Sequence, residues 1–443
     1  MKLIRINSKL FPNRYKKYTN HDLSFGVIGV ENDEIKFFLD PRYIEFAEKA
    51  GLNFEPYENL PKNNVVLDPW EWSVGEFDSL RLKNYSFEFY EDYKIEAFFN
   101  DKIDLKVYEN FTKEKKSSFL VSNFDNLKKP SLPFFIGSGE VYYDPNLTPL
   151  AYKGFLKSSL KCFDPFSSSD AILQEERIEG YKEFLKDDAK SWSLFLDFLY
   201  KNWKHISELE AVLEFNKIRE IGKKELAFET ILGGGENSAQ IHGKPSAFKI
   251  KEGVCLIDAG VKINGFISDI SRSVWLSDDL PSDEVKEAYT KVLKAHILFA
   301  SFKGKPDDFD LIKKVSQSVD EIVSFRHALG HGLGMQSGKV HAFPSIAKKS
   351  VHYFKPGMII TNEPGFYVHG KFGIRIENIM QVKLEAGVMC FELLSFVPLE
   401  FSLIIDSMLT VSEKKWLKDY HEKCEKGFCS ALKRKIEPFL SII

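Results

Sequence analysis

Residues 254–269 read VCLIDAGVKINGFISD and set the organisation of the second half of the chain. The apolar run that ends on Asp258 is typical of a buried strand, and Asn264-Gly265 favours a tight hairpin turn. The returning strand carries Asp269, so the hairpin can bring both carboxylates to neighbouring positions on one face. Buried carboxylates that repel each other are unfavourable unless a cation neutralises them. This stretch is therefore a candidate cation site.

Three later motifs add chemistry of the same kind. In LGHGLG, the glycines around His331 let the main chain approach the imidazole closely, as a ligand site requires. In TNEPG and IRIEN, Glu363 and Glu377 end or interrupt apolar runs of the β type, where a charged side chain needs a partner. Four carboxylates and one imidazole can hold two divalent ions, and hard oxygen ligands favour manganese over a thiolate zinc site. Two such ions polarise a carbonyl, which is hydrolytic chemistry.

Each group also has a structural interpretation. Asp258 can cap a turn, and Asp269 can pair with Arg272. A histidine in a glycine loop, such as His331, is often structural. The two glutamates can pair with Arg375 or Lys371 at a strand edge. Five of the ten histidines fall between residues 242 and 341. Of these, His296 lies in an apolar helical pattern, and we expect it in the core.

The composition argues against several other classes of protein. The 443 residues suggest two or three domains, and 61 basic against 64 acidic side chains leave a formal charge of −3. That balance gives no long-range attraction to nucleic acid or to an anionic membrane, and no apolar run has the length of a membrane span. Five scattered cysteines do not suggest a disulfide framework or a zinc site. We expect a cytoplasmic protein without nucleic-acid or membrane partners.

The first part of the chain has its own pattern. Residues 1–165 alternate short apolar strands with turns, including a strand over 35–39 and a helix over 43–47. A polar, proline-broken linker is expected over 164–169. We therefore predict one domain over 1–165 and a second over 166–443.

The second domain is predicted to be α+β, because helices and hairpins are segregated along the chain. The first helix is predicted to be long, because apolar residues recur on one face, namely Ile178, Tyr181, Leu185, Trp192, Phe195 and Leu199. A second helix is expected to begin at the capping box Ser207-Glu210 and to end at Gly222. Further predicted elements are helices over 283–302, 307–323 and from 412 onward, and strands over 254–258, 265–276, 358–363 and 373–382.

The ordered motifs IDAG, SDISR, GHG, NEPG and RIEN resemble the metal motifs of the pita-bread metallopeptidases. Within that group the chain is most similar to the Xaa-Pro aminopeptidases (aminopeptidase P), and the segment EPGFYVHGKFGIRIEN is close to the pattern of their eukaryotic-type branch. The resemblance covers roughly residues 165–443. The first 165 residues loosely resemble the N-terminal domain of creatinase and aminopeptidase P. The resemblance implies a pita-bread catalytic domain preceded by a smaller creatinase-like α/β domain.

The resemblance also implies roles for individual residues. It implies catalytic roles for His242 and His341, which would hold the substrate, and for Glu363, which would manage a proton. His341 follows His331 by ten residues, a longer gap than family members usually show. His242, His327, His341, Tyr367 and Arg375 are expected near the substrate. Its metal ligands would be Asp258, Asp269, His331, Glu363 and Glu377.

The implied activity is release of the N-terminal residue from peptides with proline in the second position. The cofactors would be two divalent ions, manganese first, with zinc or cobalt as substitutes, and the protein would be a homodimer. An Xaa-Pro dipeptidase (prolidase) has the same fold and ligands. A methionine aminopeptidase fits less well, because a large N-terminal domain is not its usual plan. A pita-bread module that binds peptides without catalysis is a further alternative, although such modules usually lack several ligands.

Overall fold

The structure is a computed structural model in which the chain forms two compact units, Met1–Phe166 and Ser167–Ile443. No helix within the described residues is long and apolar enough to cross a membrane. The residues that the structure describes are 2–6, 26–31, 34–39, 43, 47–48, 50–61, 65–67, 87–89, 117–120, 135–137, 140–143, 161–162, 170–306, 308, 310–348, 350 and 353–424.

The described residues of the first unit form two sheets. The strand predicted over 35–39 is confirmed, and it packs Phe37 and Leu39 into a small core with Ile28. The linker predicted over 164–169, and most of the helix predicted over 43–47, lie outside the described residues. One sheet has the order β4-β3-β2-β1-β5-β6 and the other β10-β9-β7-β8, with β1 to β10 at Lys2–Ile6, Gly26–Glu31, Glu34–Leu39, Phe54–Pro56, Val65–Leu67, Phe87–Phe89, Ser117–Leu120, Phe135–Gly137, Glu140–Tyr143 and Lys161–Cys162.

The helices of the second unit follow the apolar periodicity of the sequence. The long helix buries Tyr181, Leu185 and Trp192 on its predicted face, and Ser207 and Glu210 form the predicted capping box. The helices α1 to α5 are Ile178–Asn202, Glu208–Ile218, Asp283–Ser301, Leu311–Asp320 and Val411–Cys424.

The strands of the second unit pair antiparallel and surround the candidate site. Their order is β11-β14-β15, β12-β13-β16, β18-β17-β19-β22-β23 and β20-β21. Strands β11 to β23 are Glu225–Leu226, Ile231–Gly234, Gly253–Ala259, Val261–Ile263, Phe266–Ile267, Ile270–Leu276, Gly330–Gly332, Ala342–Ile346, Ile359–Asn362, Gly365–Val368, Phe372–Arg375, Asn378–Glu385 and Val388–Leu393.

One predicted helix end and the continuity of two predicted strands are wrong. The second helix ends at Ile218, before Gly222, and Glu220 takes the left-handed conformation with φ of 54°. The strand predicted over 265–276 is interrupted between Ile267 and Ile270, and the one over 373–382 is interrupted between Arg375 and Asn378. The isoleucines that flank both interruptions are buried although the pairing breaks, so the apolar pattern follows burial rather than main-chain pairing.

Candidate metal centre

Four carboxylates and one imidazole meet in the second unit, although they come from distant parts of the sequence. Asp258 lies near the end of β13, Asp269 lies between β15 and β16, and His331 lies in the middle of β17. Glu363 directly follows β19, and Glu377 lies between β21 and β22. The interruptions between β15 and β16 and between β21 and β22, which the sequence pattern does not predict, therefore each carry a candidate ligand.

The distances suit a divalent cation. The Nε2 atom of His331 lies 3.5 Å from Oδ2 of Asp269 and 3.6 Å from Oε1 of Glu363. Asp269, His331 and Glu377 each offer one ligand atom, and these atoms lie within 4.8 Å of one another. Metal–ligand bonds of about 2.0–2.2 Å place the ligands of one ion roughly 3–4 Å apart, so small adjustments complete the site.

Asp258 gives a separate indication that a cation fits here. Its Oδ2 atom accepts a hydrogen bond of 2.6 Å from Nη2 of Arg375. Its Oδ1 atom is buried, and none of the described residues donates a hydrogen bond to it. A buried polar atom without a partner costs about 1–3 kcal/mol, and more when it is charged. A cation bound at Oδ1 would remove that cost.

The carboxylates are unfavourable neighbours without a cation. Burial, and then repulsion from Glu377, Asp258 and Glu363, raises the pKa of Asp269 well above its ordinary value. Burial and the charge of Asp258 raise the pKa of Glu377 to about 8. Burial also lowers the pKa of His331. The metal-free site therefore holds protons on carboxylates at neutral pH, and a bound cation would displace them.

Glycine is required on both sides of His331. A Cβ atom on Gly330 would lie 2.1 Å from the carbonyl oxygen of Thr361, and one on Gly332 would lie 2.1 Å from that of Phe343. Strand β17 can therefore approach its neighbours only without these side chains. The glycines around His331 thus permit close approach between strands, whereas the predicted close approach of the main chain to the imidazole stays a prediction.

Arg375 connects the candidate ligands Asp258 and Glu377, directly in the first case and through Ser271 in the second. Besides Asp258, its guanidinium donates through Nε to Oγ of Ser271 at 2.9 Å and through Nη1 to the hydroxyl of Tyr367 at 2.9 Å. The Ser271 hydroxyl in turn donates to Oε2 of Glu377 at 2.8 Å. Arg375 is only 2% exposed. Its side chain is thus committed to orienting a candidate ligand, whereas direct contact with substrate stays a prediction.

His327 lies beside Glu363, and Tyr367 contacts His327. The Nδ1 atom of His327 lies 3.7 Å from Oε2 of Glu363, and its Nε2 atom lies 2.9 Å from the hydroxyl of Tyr367. Burial raises the pKa of Tyr367 to about 12, so the phenol stays protonated and can donate. Both residues are brought to the site, and their roles toward a substrate stay predictions.

The two remaining histidines are exposed at this site. The ring of His341 lies 4.4 Å from that of His331, so the ten-residue gap does not carry it away from the centre. His242 follows Ile241, whose carbonyl accepts a hydrogen bond of 3.3 Å from Nη1 of Arg375. The main chain at His242 is therefore tied to the centre.

The alternative pairings do not explain the cluster. Arg272 donates to the main-chain carbonyl of Glu377 and to the hydroxyl of Tyr420, rather than to the neighbouring aspartate. Lys371 pairs with Glu284. The histidine predicted to lie in the core, His296, does so, and burial lowers its pKa to about 3.

The sequence pattern does not predict the part that two buried hydroxyl residues, Ser271 and Thr361, take in this site. Ser271 joins Arg375 to Glu377, and Oγ1 of Thr361 accepts a hydrogen bond of 3.0 Å from the main chain of His331. Both residues are fully buried within strands. The polar residues of ISRSVWL, set in an otherwise apolar strand, are the signal that could have found Ser271.

The comparisons with known proteins agree with this arrangement. Residues 189–383 match the model of metallopeptidase family M24, and residues 387–440 match the model of the C-terminal region of peptidase M24. The two matches together span more than half of the chain, and the chain belongs to metallopeptidase family M24. The predicted metallopeptidase family is confirmed.

Two similar proteins carry more particular names. Aminopeptidase P2 of Arabidopsis thaliana is 32% identical over 417 residues, which cover 88% of this chain and 54% of that protein. A probable Xaa-Pro aminopeptidase P of Sclerotinia sclerotiorum is 30% identical over 309 residues, which cover 62% of this chain and 51% of that protein. The chain thus spans about half the length of these curated relatives.

A solved structure shows the same fold. It is the X-prolyl aminopeptidase from Caenorhabditis elegans, described as a cytosolic enzyme with a di-nuclear active site. The TM-score is 0.78 at 19% identity, with 99% of this chain and 92% of that chain covered. The predicted α+β pita-bread fold is confirmed.

Proposed function

We propose that this protein hydrolyses peptides with proline in the second position and releases their N-terminal residue. The observation that carries the proposal is the convergence of Asp269, His331 and Glu377 within 4.8 Å, beside the unpartnered oxygen of Asp258. Membership of a metallopeptidase family and the names of the relatives support the same activity.

The proposed cofactors are two divalent cations held by Asp258, Asp269, His331, Glu363 and Glu377. Four carboxylates suit hard cations, and manganese is proposed before zinc or cobalt. The di-nuclear site named for the nematode enzyme supports the number of ions. When bound, such ions lower the pKa of a water molecule and polarise a carbonyl.

The chain's own side chains supply the remaining steps. Glu363 would take the proton of the attacking water and deliver it to the leaving prolyl nitrogen, because its carboxylate lies beside His331 and His327. His242 and His341 would donate hydrogen bonds around the prolyl carbonyl of the substrate. Arg375 would orient the carboxylate of Asp258 through their ion pair of 2.6 Å.

Removal of metal tests the proposal most directly. We expect protein treated with a chelator to lose activity on Ala-Pro-Ala and to regain it when manganese is added back. Metal content, measured by mass spectrometry of the same samples, should rise toward two ions per chain as activity returns. Full activity in a sample without bound metal would contradict the proposed mechanism.

The same assay separates the rival activities. A prolidase would prefer Ala-Pro to Ala-Pro-Ala, whereas a non-catalytic peptide-binding module would hydrolyse neither peptide with any metal.

We also propose a cytoplasmic location, in keeping with the cytosolic nematode enzyme, and a homodimer. Sedimentation equilibrium of the full chain should give twice the mass of 51.0 kDa.

A further inference from the structure

Helix α1 contacts the hairpin that carries Asp258 and Asp269, and the proposed reaction uses none of its side chains. Near the start of the helix, Nη2 of Arg177 donates at 3.4 Å to the carbonyl of Asn264. The guanidinium of Arg177 also lies 4.9 Å from the ring centre of Phe266. The turn of the hairpin is therefore attached to the helix.

Tyr181 makes the second contact. Its hydroxyl donates a hydrogen bond of 2.7 Å to the carbonyl of Ile267, two residues before Asp269. Tyr181 is completely buried, and it packs against Phe266 with ring centres 5.3 Å apart. The hydrogen bond holds the chain where β15 ends and the segment with Asp269 begins.

A buried ion pair makes the third contact. The Nε and Nη2 atoms of Arg219 lie 3.2 Å and 3.3 Å from the carboxylate oxygens of Asp188 on α1. The Nη2 atom also donates at 3.4 Å to the carbonyl of Ala259, which follows Asp258. The Arg219 guanidinium lies 4.0 Å from the ring centre of Phe215, and both charged side chains are at most 1% exposed. Removing one partner of such a pair leaves an uncompensated buried charge.

Both main-chain contacts depend on α1, directly through Tyr181 and indirectly through the ion pair of Asp188 with Arg219, which follows α2. Tyr181 and Asp188 are seven residues apart on α1, about two helical turns, and so lie on the same face. One contact fixes the chain directly after Asp258, and the other fixes it just before Asp269. The separation of the two carboxylates thus depends on a helix that contributes no ligand.

We propose that α1 sets the separation of Asp258 and Asp269, with Tyr181, Asp188 and Arg219 as positioning residues for metal binding. This inference rests on the metal-dependent function proposed above. Residues that orient metal ligands commonly change metal affinity by roughly 10–100-fold when they are substituted.

Tyr181→Phe tests the proposal, because it removes only the hydroxyl. The matched control is Tyr200→Phe on the same helix, which loses a hydrogen bond of 2.5 Å to Glu400. We expect manganese to bind Tyr181→Phe about tenfold or more weakly by calorimetry, and Tyr200→Phe to bind it as the wild type does. At saturating manganese, kcat should fall in Tyr181→Phe while KM for Ala-Pro-Ala stays unchanged.

Arg219→Lys provides an independent variant, since it keeps the charge but cannot reach both Asp188 and the carbonyl of Ala259. It should also weaken manganese binding at least tenfold. Wild-type manganese affinity in Tyr181→Phe and Arg219→Lys would overturn the positioning role. Failure of the wild type itself to bind manganese would instead overturn the proposed function, so the two failures are distinguishable.

Discussion

Glu377 shows how the position of a candidate ligand determines its pKa. Burial and the charge of Asp258 raise its pKa from an ordinary value of 4.5 to about 8. Between about pH 4.5 and 8, the folded metal-free protein therefore holds a proton that the unfolded chain releases. The free energy of unfolding must fall as pH rises through this window, and the raised pKa of Asp269 acts in the same direction.

We therefore expect the Tm of the chelated protein to fall between about pH 4.5 and pH 8. The Glu377→Gln variant should show a flatter dependence, because glutamine does not titrate. Scanning calorimetry with and without manganese measures both effects, and added metal should raise the Tm most at high pH. An equally steep dependence in wild type and variant would show that Glu377 does not titrate in this range.

Substitution of a candidate metal ligand and substitution of His341, which is proposed to contact substrate, should have different effects on metal content and turnover. We expect Asp269→Asn or Glu377→Gln to abolish both metal occupancy and turnover, because each removes a charge from the centre. His341→Ala should keep the metals and slow turnover by roughly 10²–10³-fold, the usual effect of losing one donor to a developing oxyanion. Metal content and kcat are measured on the same preparations.

Glu400→Gln is the matched control, because Glu400 accepts hydrogen bonds from Tyr200 and from the main chain of Trp275, outside the candidate centre. It should keep wild-type metal content. Loss of metal from His341→Ala would show that the imidazole is a ligand, and an unchanged rate would show that it takes no part.

At the scale of elements, strand β17 depends on the absence of side chains at Gly330 and Gly332. We expect Gly330→Ala to lower stability by about 1–3 kcal/mol or more and to reduce metal affinity, because its Cβ atom would overlap the carbonyl of Thr361 and push β17 from β19. The matched control is Gly180→Ala in α1, where the nearest atom, in Phe266, lies 3.5 Å away. It should keep or raise the Tm, since alanine has a higher helix propensity than glycine.

Thermal unfolding and manganese titration of the two alanine variants provide the comparison. If Gly330→Ala retained wild-type stability and metal affinity, the close approach of β17 to β19 would not be needed for the site.

The sequence predicts elements well where local chemistry decides them. The apolar face of α1 and the capping box of α2 are both confirmed, because each depends on residues close in sequence. The end of α2 is not predicted, since Glu220 rather than glycine adopts the left-handed conformation there. The strand interruptions at Asp269 and Glu377 also escape prediction. They depend on which strands pair, and pairing involves residues far apart in the chain.

The candidate ligands could be named from their motifs, but the contacts that orient them could not. Arg375 reaches Asp258 across 117 positions, and Arg219 reaches the carbonyl of Ala259 across 40. No local pattern specifies such pairs, because they form only after the strands and α1 have packed. The resemblance thus identifies the residue types, while the folded chain determines their orientation.

At the scale of the whole molecule, the two permanent cations that lie between Glu363 and Glu377 in the sequence already have partners. Arg375 is engaged with Asp258, Ser271 and Tyr367, and Lys371 pairs with Glu284 on α3. A dipeptidase needs a cation to recognise the free carboxylate that follows proline. The thirteen residues between Glu363 and Glu377 contain only Lys371 and Arg375 as permanent cations.

We therefore expect the substrate cleft to accept a chain that continues beyond proline. The value of kcat/KM for Ala-Pro-Ala should equal or exceed that for Ala-Pro at saturating manganese, because the dipeptide's carboxylate gains no dedicated ion pair. Ala-Pro-amide is the matched control, since it has the length of the dipeptide without its charge, and it should be cleaved at least as well as Ala-Pro. A clear preference for Ala-Pro over both peptides would mean that a cation does meet the carboxylate, which would place the activity with the prolidases.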